Sequence, residues 1–370
     1  MKKVLLSLAM FLTMVFSACD DDTASNNSNN TNNTNTNNIN NTNNTNTNTN
    51  NTNNTNTNNT NNTNTNNINN TNNTNNDIYV SDASIWGPGG LEVEVMGFDA
   101  DTFGSNVDFT VYAPAFGGRY PVIIFQHGFM LDATWFSSIL GTIASHGFVV
   151  VAPQMYGADN NPIGKPTAAE EAEQAYNFLQ WVHLNLESEL DVTISLDHVG
   201  YLGHSRGGKV SWILLDSCND CAMAVAGIDP VDGTGGPMGG EARVIDGPFN
   251  FSFPSYVMGT EFGTQSASMF SGACAPEGDN YVQFYEASAS PAFFSLALGY
   301  GHLDFLDDLE SCIICSTCVS AEGEHGPFRD FTAAQMVGFF RGALSGDTAS
   351  YSDLEDSTSS PIEYDFESHF

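Results

Sequence analysis

The sequence predicts an α/β domain with a mostly parallel central sheet and helices on both faces. Three observations predict it. Pro121-Val122-Ile123-Ile124-Phe125, Phe148-Val149-Val150-Val151-Ala152 and His198-Val199-Gly200-Tyr201-Leu202 are short, continuous apolar runs, as strands buried on both faces are. Between the second and third runs, Ala172, Ala175, Phe178/Leu179 and Val182 recur at steps of three and four, with Glu170, Glu171, Glu173 and Gln174 on the opposite side. The third run ends in a Gly-rich turn that opens another helix. Strand and helix alternating around buried central strands is an α/β arrangement.

The elements follow in chain order. Leu91-Glu92-Val93-Glu94-Val95 alternates apolar and acidic residues, and residues 107–112 repeat the alternation, so both read as half-exposed strands. After the three buried runs, a helix is expected over 209–215, strands over 223–228, 255–258 and 292–298, and a closing helix over 331–344. The acidic, Ser-rich residues 346–370 read as a loosely held tail.

The first quarter of the chain is not globular. Met1-Lys2-Lys3 precedes an apolar run over 4–16, too short for a bilayer core of about 20 residues and so read as a signal segment spanning 1–18. Phe16-Ser17-Ala18-Cys19 resembles the lipobox of bacterial lipoproteins, which marks Cys19 for lipidation; the alternative is ordinary cleavage near Ala18, with Cys19 a spare thiol. Residues 26–76 are almost wholly Asn and Thr and cannot bury a core, so 19–76 reads as a flexible tether with a reach of roughly 40–45 Å. The expected product is an exported domain, 77–345, lipid-anchored to a bacterial membrane. A formal charge of −34, from 43 acidic and 9 basic residues, argues against nucleic acid as a partner, because phosphate recognition needs clustered Lys and Arg. The acidity suits a salt-rich habitat or a plainly solvated face; calcium at Asp304, Asp307 and Asp308 is the alternative, although no loop has the EF-hand pattern.

Chemistry concentrates at the end of the third buried run. Gly203-His204-Ser205-Arg206-Gly207 is a G-x-S-x-G turn between strand and helix, a nucleophile elbow that strains Ser205, exposes its hydroxyl and sets it over a helix N-terminus. A Gly/Ser turn without chemistry is the plain alternative. A serine needs a base to take its proton and an acid to orient that base, here expected in the order Ser, acid, His. Asp229 ends an apolar run and is preferred to Asp232, which reads as a support of the following loop. His302, in a loop opening directly after a strand, is preferred to His325 beside the cysteines. His127 ends the first buried run, where a second oxyanion amide is expected, so the N–H groups of Phe129 and Arg206 are the candidate oxyanion hole. His127 reads as a prop of that loop, His204 as packing and His146 as a helix end. This chemistry needs no cofactor.

Taken together, residues 121–129, 143–154 and 203–209, Gly227-Ile228-Asp229-Pro230-Val231-Asp232-Gly233-Thr234, Cys274-Ala275-Pro276-Glu277-Gly278 and Tyr300-Gly301-His302-Leu303-Asp304 resemble the chlorophyllase group of α/β-hydrolases, with wider similarity to cutinase-like polyester hydrolases. The resemblance implies the α/β-hydrolase fold, hydrolysis of a hydrophobic ester, and a triad on Ser205, Asp229 and His302. A cutinase- or lipase-like esterase, or a catalytically silent surface-binding module on the same scaffold, are the alternatives. Cys218, Cys221, Cys274, Cys312, Cys315 and Cys318 are expected to form disulfides whose pairing the spacing leaves open; a thiolate zinc site or a redox-active Cys218/Cys221 pair are the other readings.

Overall fold

In the computed structural model the described residues are 78–156, 165–233, 242–268, 271–309 and 312–370. The signal segment, Cys19 and the Asn/Thr tether lie outside them. Nine strands form one sheet: β1 (Val93–Phe98), β2 (Phe109–Pro114), β3 (Arg119–Gln126), β4 (Val149–Pro153), β5 (Thr193–His204), β6 (Ala224–Ile228), β7 (Ser255–Thr260), β10 (Ala292–Ala297) and β11 (Tyr364–His369). A separate hairpin pairs β8 (Ser266–Ser268) with β9 (Ser271–Ala273). The sheet order is β1-β2-β4-β3-β5-β6-β7-β10-β11. The strands from β4 to β10 run parallel, while β1, β2 and β11 pair antiparallel at the two margins.

Alternation along the buried strands divides the core in two. Ile123, Phe125, Val150, Ala152, Leu202, Ala226 and Ile228 face α1 (Ser137–Ser145) and α5 (Gly326–Ser345). Val122, Ile124, Val149, Val151, Tyr201 and Val225 face α2 (Ala168–Asn185), α3 (Arg206–Ser217) and α4 (Tyr281–Ala287). A period of two on strands that are covered on both sides produces these two layers, so helices cover both faces as expected. The helix α2 starts from a capping box, in which Thr167 Oγ1 accepts from the Glu170 amide and Glu170 Oε2 accepts from the Thr167 amide. Among the described residues no helix is long and apolar enough to cross a membrane.

Two expectations change. Glu171, assigned to the solvent side of α2, is fully buried. Its position at i+3 from Ala168 and i−4 from Ala175 lies on the apolar stripe, and its charge obscured that geometry. The end of the chain is not a loose tail: residues Thr348–Glu355 form a 3-10 helix with Leu354 buried, and β11 pairs with β10 from Ala292↔His369 to Ala297↔Tyr364. Acidic composition masked a period of two, in which Tyr364 and Phe366 pack against the core while Asp365 and Glu367 are exposed. The Tyr364 ring lies 4.8 Å from that of Phe331, and its hydroxyl donates to the Leu354 carbonyl. The folded domain therefore runs to the C-terminal strand.

The six cysteines pair as Cys218–Cys221, Cys274–Cys318 and Cys312–Cys315. Asp304 accepts hydrogen bonds from the amides of Gly301 and Ala321 and from Ser320, and Asp307 from the amide and hydroxyl of Ser138. These carboxylates thus serve loop structure.

Deleting residues 363–370 removes two half-buried aromatic anchors and the last ladder. It is expected to cost about 2–4 kcal/mol, read as a fall in the thermal unfolding midpoint. An unchanged midpoint would restore the reading of a tail.

Candidate active site

Ser205, Asp229 and His302 arrive from three different parts of the sheet. Ser205 follows β5 directly and is the N-cap of α3, with φ 53° and ψ −121°. A left-handed φ on a residue with a Cβ costs about 1–3 kcal/mol, and the surroundings must impose it. Backbone proximity imposes it here. A Cβ on Gly203 would collide with the Gly207 carbonyl, and one on Gly207 with the carbonyls of Gln126 and His127 at the end of β3. The Ser205 amide donates to the Ile228 carbonyl at 3.1 Å, which ties the turn to β6.

Asp229 follows β6, also with a left-handed φ of 48°, and its carboxylate is wholly buried. One oxygen accepts the Thr260 amide at 3.0 Å, and the other accepts the Thr260 hydroxyl at 2.8 Å and His302 Nδ1–H at 2.6 Å. His302 lies in the loop after β10, and its Nε2 accepts from the Ser205 hydroxyl at 2.9 Å. The two bonds fix the tautomer: Nδ1 carries the proton and Nε2 is free to receive one. A hydroxyl, an imidazole and a buried carboxylate in series can pass the serine proton to the ring and hold the resulting imidazolium.

His204, His127, His146 and His325 lie outside this series. His204 is buried, donates Nε2–H to the His302 carbonyl at 2.8 Å, and lies with its ring 4.9 Å from that of His302. It packs, as expected, but what it packs against is the backbone of the base loop. His127 donates Nδ1–H to the Gly128 carbonyl and accepts the Met155 amide at Nε2, which makes it a prop between two loops. His146 caps α1. His325 lies 3.6 Å from Asp304 and away from the series. Burial pushes His127 and His146 down to about 4, and His204 well below its ordinary value.

Asp232 holds the loop after Asp229. It accepts the amides of Val244 and Ile245 and lies 3.3 Å from the buried ammonium of Lys209, which also donates to the Asp232 and Ala242 carbonyls. On the other side of the elbow, the Arg206 guanidinium pairs with Glu171 at 2.7 Å and lies 5.3 Å from the centroid of the Phe129 ring. Phe129 follows Gly128, where a Cβ would collide with the His204 ring, so the loop after β3 runs beside the elbow. Nothing in the spacing announced the Arg206–Glu171 pair except the place of Glu171 on the helix stripe. Among the described residues no three His, Cys, Asp or Glu side chains gather as a metal site.

Parallel strands in this order, with a strained serine at the end of β5, an acid after β6 and a histidine after β10, define an α/β-hydrolase. A family model described as Chlorophyllase matches residues 82–369, and the chain belongs to the chlorophyllase family. It is 34% identical over 268 residues to "Chlorophyllase-1, chloroplastic" of Citrus unshiu, covering 69% of this chain and 78% of that one. It is 33% identical over 251 residues to "Chlorophyllase-2" of Arabidopsis thaliana, covering 64% of this chain and 77% of that one. It is also 28% identical over 258 residues to "Chlorophyllase type 0" of Chenopodium album, covering 65% and 72% of the two chains.

The depressed histidines have a consequence for stability. The unfolded chain takes up protons on them below about pH 6.5, whereas folded His127 resists protonation until about pH 4. The contribution of these neutral histidines is therefore fully present above pH 6.5 and declines as the pH falls towards 4, by up to about 3 kcal/mol for His127. Denaturant midpoints across this window should show the slope, and His127→Gln should reduce it; an unaltered slope would place the proton uptake elsewhere.

Proposed function

We propose that this chain is a serine carboxylic-ester hydrolase that works through an acyl-enzyme on a hydrophobic ester. The observation that supports this reading is the continuous hydrogen-bonded series from Ser205 Oγ through His302 to Asp229 at one rim of the sheet. His302 Nε2 accepts the hydroxyl proton as Ser205 Oγ attacks the ester carbonyl. The electron pair moves onto the carbonyl oxygen, which the amides of Phe129 and Arg206 receive at the N-terminus of α3. The imidazolium, held by Asp229, then gives its proton to the leaving alcohol. Water repeats the sequence to release the acid and free serine. Family membership favours a bulky, apolar ester, with chlorophyll the first substrate to test and chlorophyllide and phytol the expected products. The aromatic rings of Phe129 and Tyr156, 6.2 Å apart beside Arg206, suit such a group.

The expected result is a burst of p-nitrophenol from a short-chain ester. Ser205→Ala and His302→Ala should each lower kcat by about 10⁴ or more, and Asp229→Asn by about 10³–10⁴. Equal rates for wild type and Ser205→Ala would favour a silent binding module. Incubation with chlorophyll and with an aliphatic polyester film, read as chlorophyllide or soluble monomers, decides between the substrate classes.

We also infer that the protein is exported and held at a bacterial membrane by lipid on Cys19, with 19–76 as its tether, from the small residues before that cysteine and the apolar run before them. Cys19→Ser should move the protein from the membrane to the soluble fraction of the envelope. Equal membrane retention of both forms would count against lipidation.

A further inference from the structure

Arg206 occupies the variable position after the nucleophile, and its side chain is buried, 7% exposed in the whole residue. It makes three contacts that join two segments. Its Nε–H donates to Glu171 Oε2 at 2.7 Å, its Nη2 donates to the Pro166 carbonyl, and its Cζ lies over the Phe129 ring. Glu171, fully buried, and Pro166 belong to the start of α2; Phe129 belongs to the loop after β3.

Fold stability is a poor account of this arrangement. Burying an Arg–Glu pair costs desolvation of both charges, and an apolar pair of the same volume is often as stable. A cation in the first turn of a helix also faces the positive end of the helix dipole. What the side chain does accomplish is positional. Gly207 fixes the backbone of Gln126 and His127 by direct approach, whereas the next residues form a turn closed by the Leu131 amide on the Gly128 carbonyl at 3.2 Å, in which Met130 carries a left-handed φ of 60°. Phe129 lies between these points, its ring flanked by the Arg206 guanidinium and by Tyr156 at 6.2 Å.

Resting on the reading of the Phe129 and Arg206 amides as the oxyanion donors, we propose that the Arg206 side chain is a positioning residue for the oxyanion hole. Glu171 locks the guanidinium, the guanidinium locks the Phe129 ring, and the ring sets the Phe129 amide at a fixed distance from the Arg206 amide. One residue thus supplies one donor through its backbone and aims the other through its side chain.

The test is a double-mutant cycle on the full chain, using p-nitrophenyl butyrate and a trifluoromethyl ketone. Ser205 Oγ adds to the ketone carbon, its proton passes to His302, and the former carbonyl oxygen becomes an oxyanion. Arg206→Met and Phe129→Leu, both of which keep the amides, should each lower kcat roughly tenfold or more with KM within about twofold. Inhibitor affinity should fall by the same factor as kcat/KM, and the double variant should be no worse than either single one. Glu171→Gln, nearly isosteric and the variant least disruptive of folding, should reproduce the loss. Multiplying losses in the double variant, or a fall in kcat with unchanged inhibitor affinity, would overturn the proposal. Thermal midpoints of each variant separate a folding defect from a loss per folded molecule. Ser205→Ala is the independent control: activity that survives it removes the hydrolase reading, whereas Ser205-dependent activity with multiplying losses removes only the positioning role.

Discussion

The site depends on one local constraint, the approach of three backbones around Ser205. β5 ends, α3 begins and the end of β3 passes so close that Gly203 and Gly207 leave no room for a side chain. This contact forces the serine into its left-handed conformation, because no relaxed turn would clear the neighbouring carbonyls. It also brings the loop after β3 alongside the N-terminus of α3. The three non-glycine residues with positive φ among the described residues, Met130, Ser205 and Asp229, all lie in the loops around this point. Strain of this kind persists only where packing over-determines it, and two buried layers on the faces of the sheet provide that packing.

The charge distribution has a similar logic. Only seven basic residues follow the first three positions of a chain with 43 acidic ones. Two of them, Arg206 and Lys209, are buried within one turn of the nucleophile, each against its own carboxylate. Arg243 pairs with Asp279, whose carbonyl accepts the Asp232 amide. Three of the seven cations therefore fix segments that flank the elbow, in a chain that is otherwise strongly acidic.

Much of this was legible in the sequence because it follows from short-range rules. Apolar runs bounded by turns revealed the central strands, and the two glycines spaced around Ser205 revealed the elbow. Asp229 was legible because it immediately follows a strand, and His302 because it lies in the loop that opens after one. Glu171 was not, because a charged residue on an apolar stripe looks like solvent-facing polarity until its partner, Arg206, is seen 35 positions away. β11 was missed for a related reason. Its alternation is real, but Glu363, Asp365 and Glu367 around Tyr364 and Phe366 lower the mean hydropathy to that of a tail. Disulfide pairing was open on spacing, and only tertiary proximity couples Cys274 to Cys318 rather than to a nearer sulfur.

The antiparallel strands at the two margins also limit how the sheet can grow. Among the described residues β11 and β1 are the margins of the sheet; β11 presents Asp365 and Glu367 there, and β1 presents Glu94. A neighbouring copy that offered its own margin would bring like charges together across a strand spacing of about 4.8 Å. Such repulsion guards an open sheet against edge-to-edge aggregation.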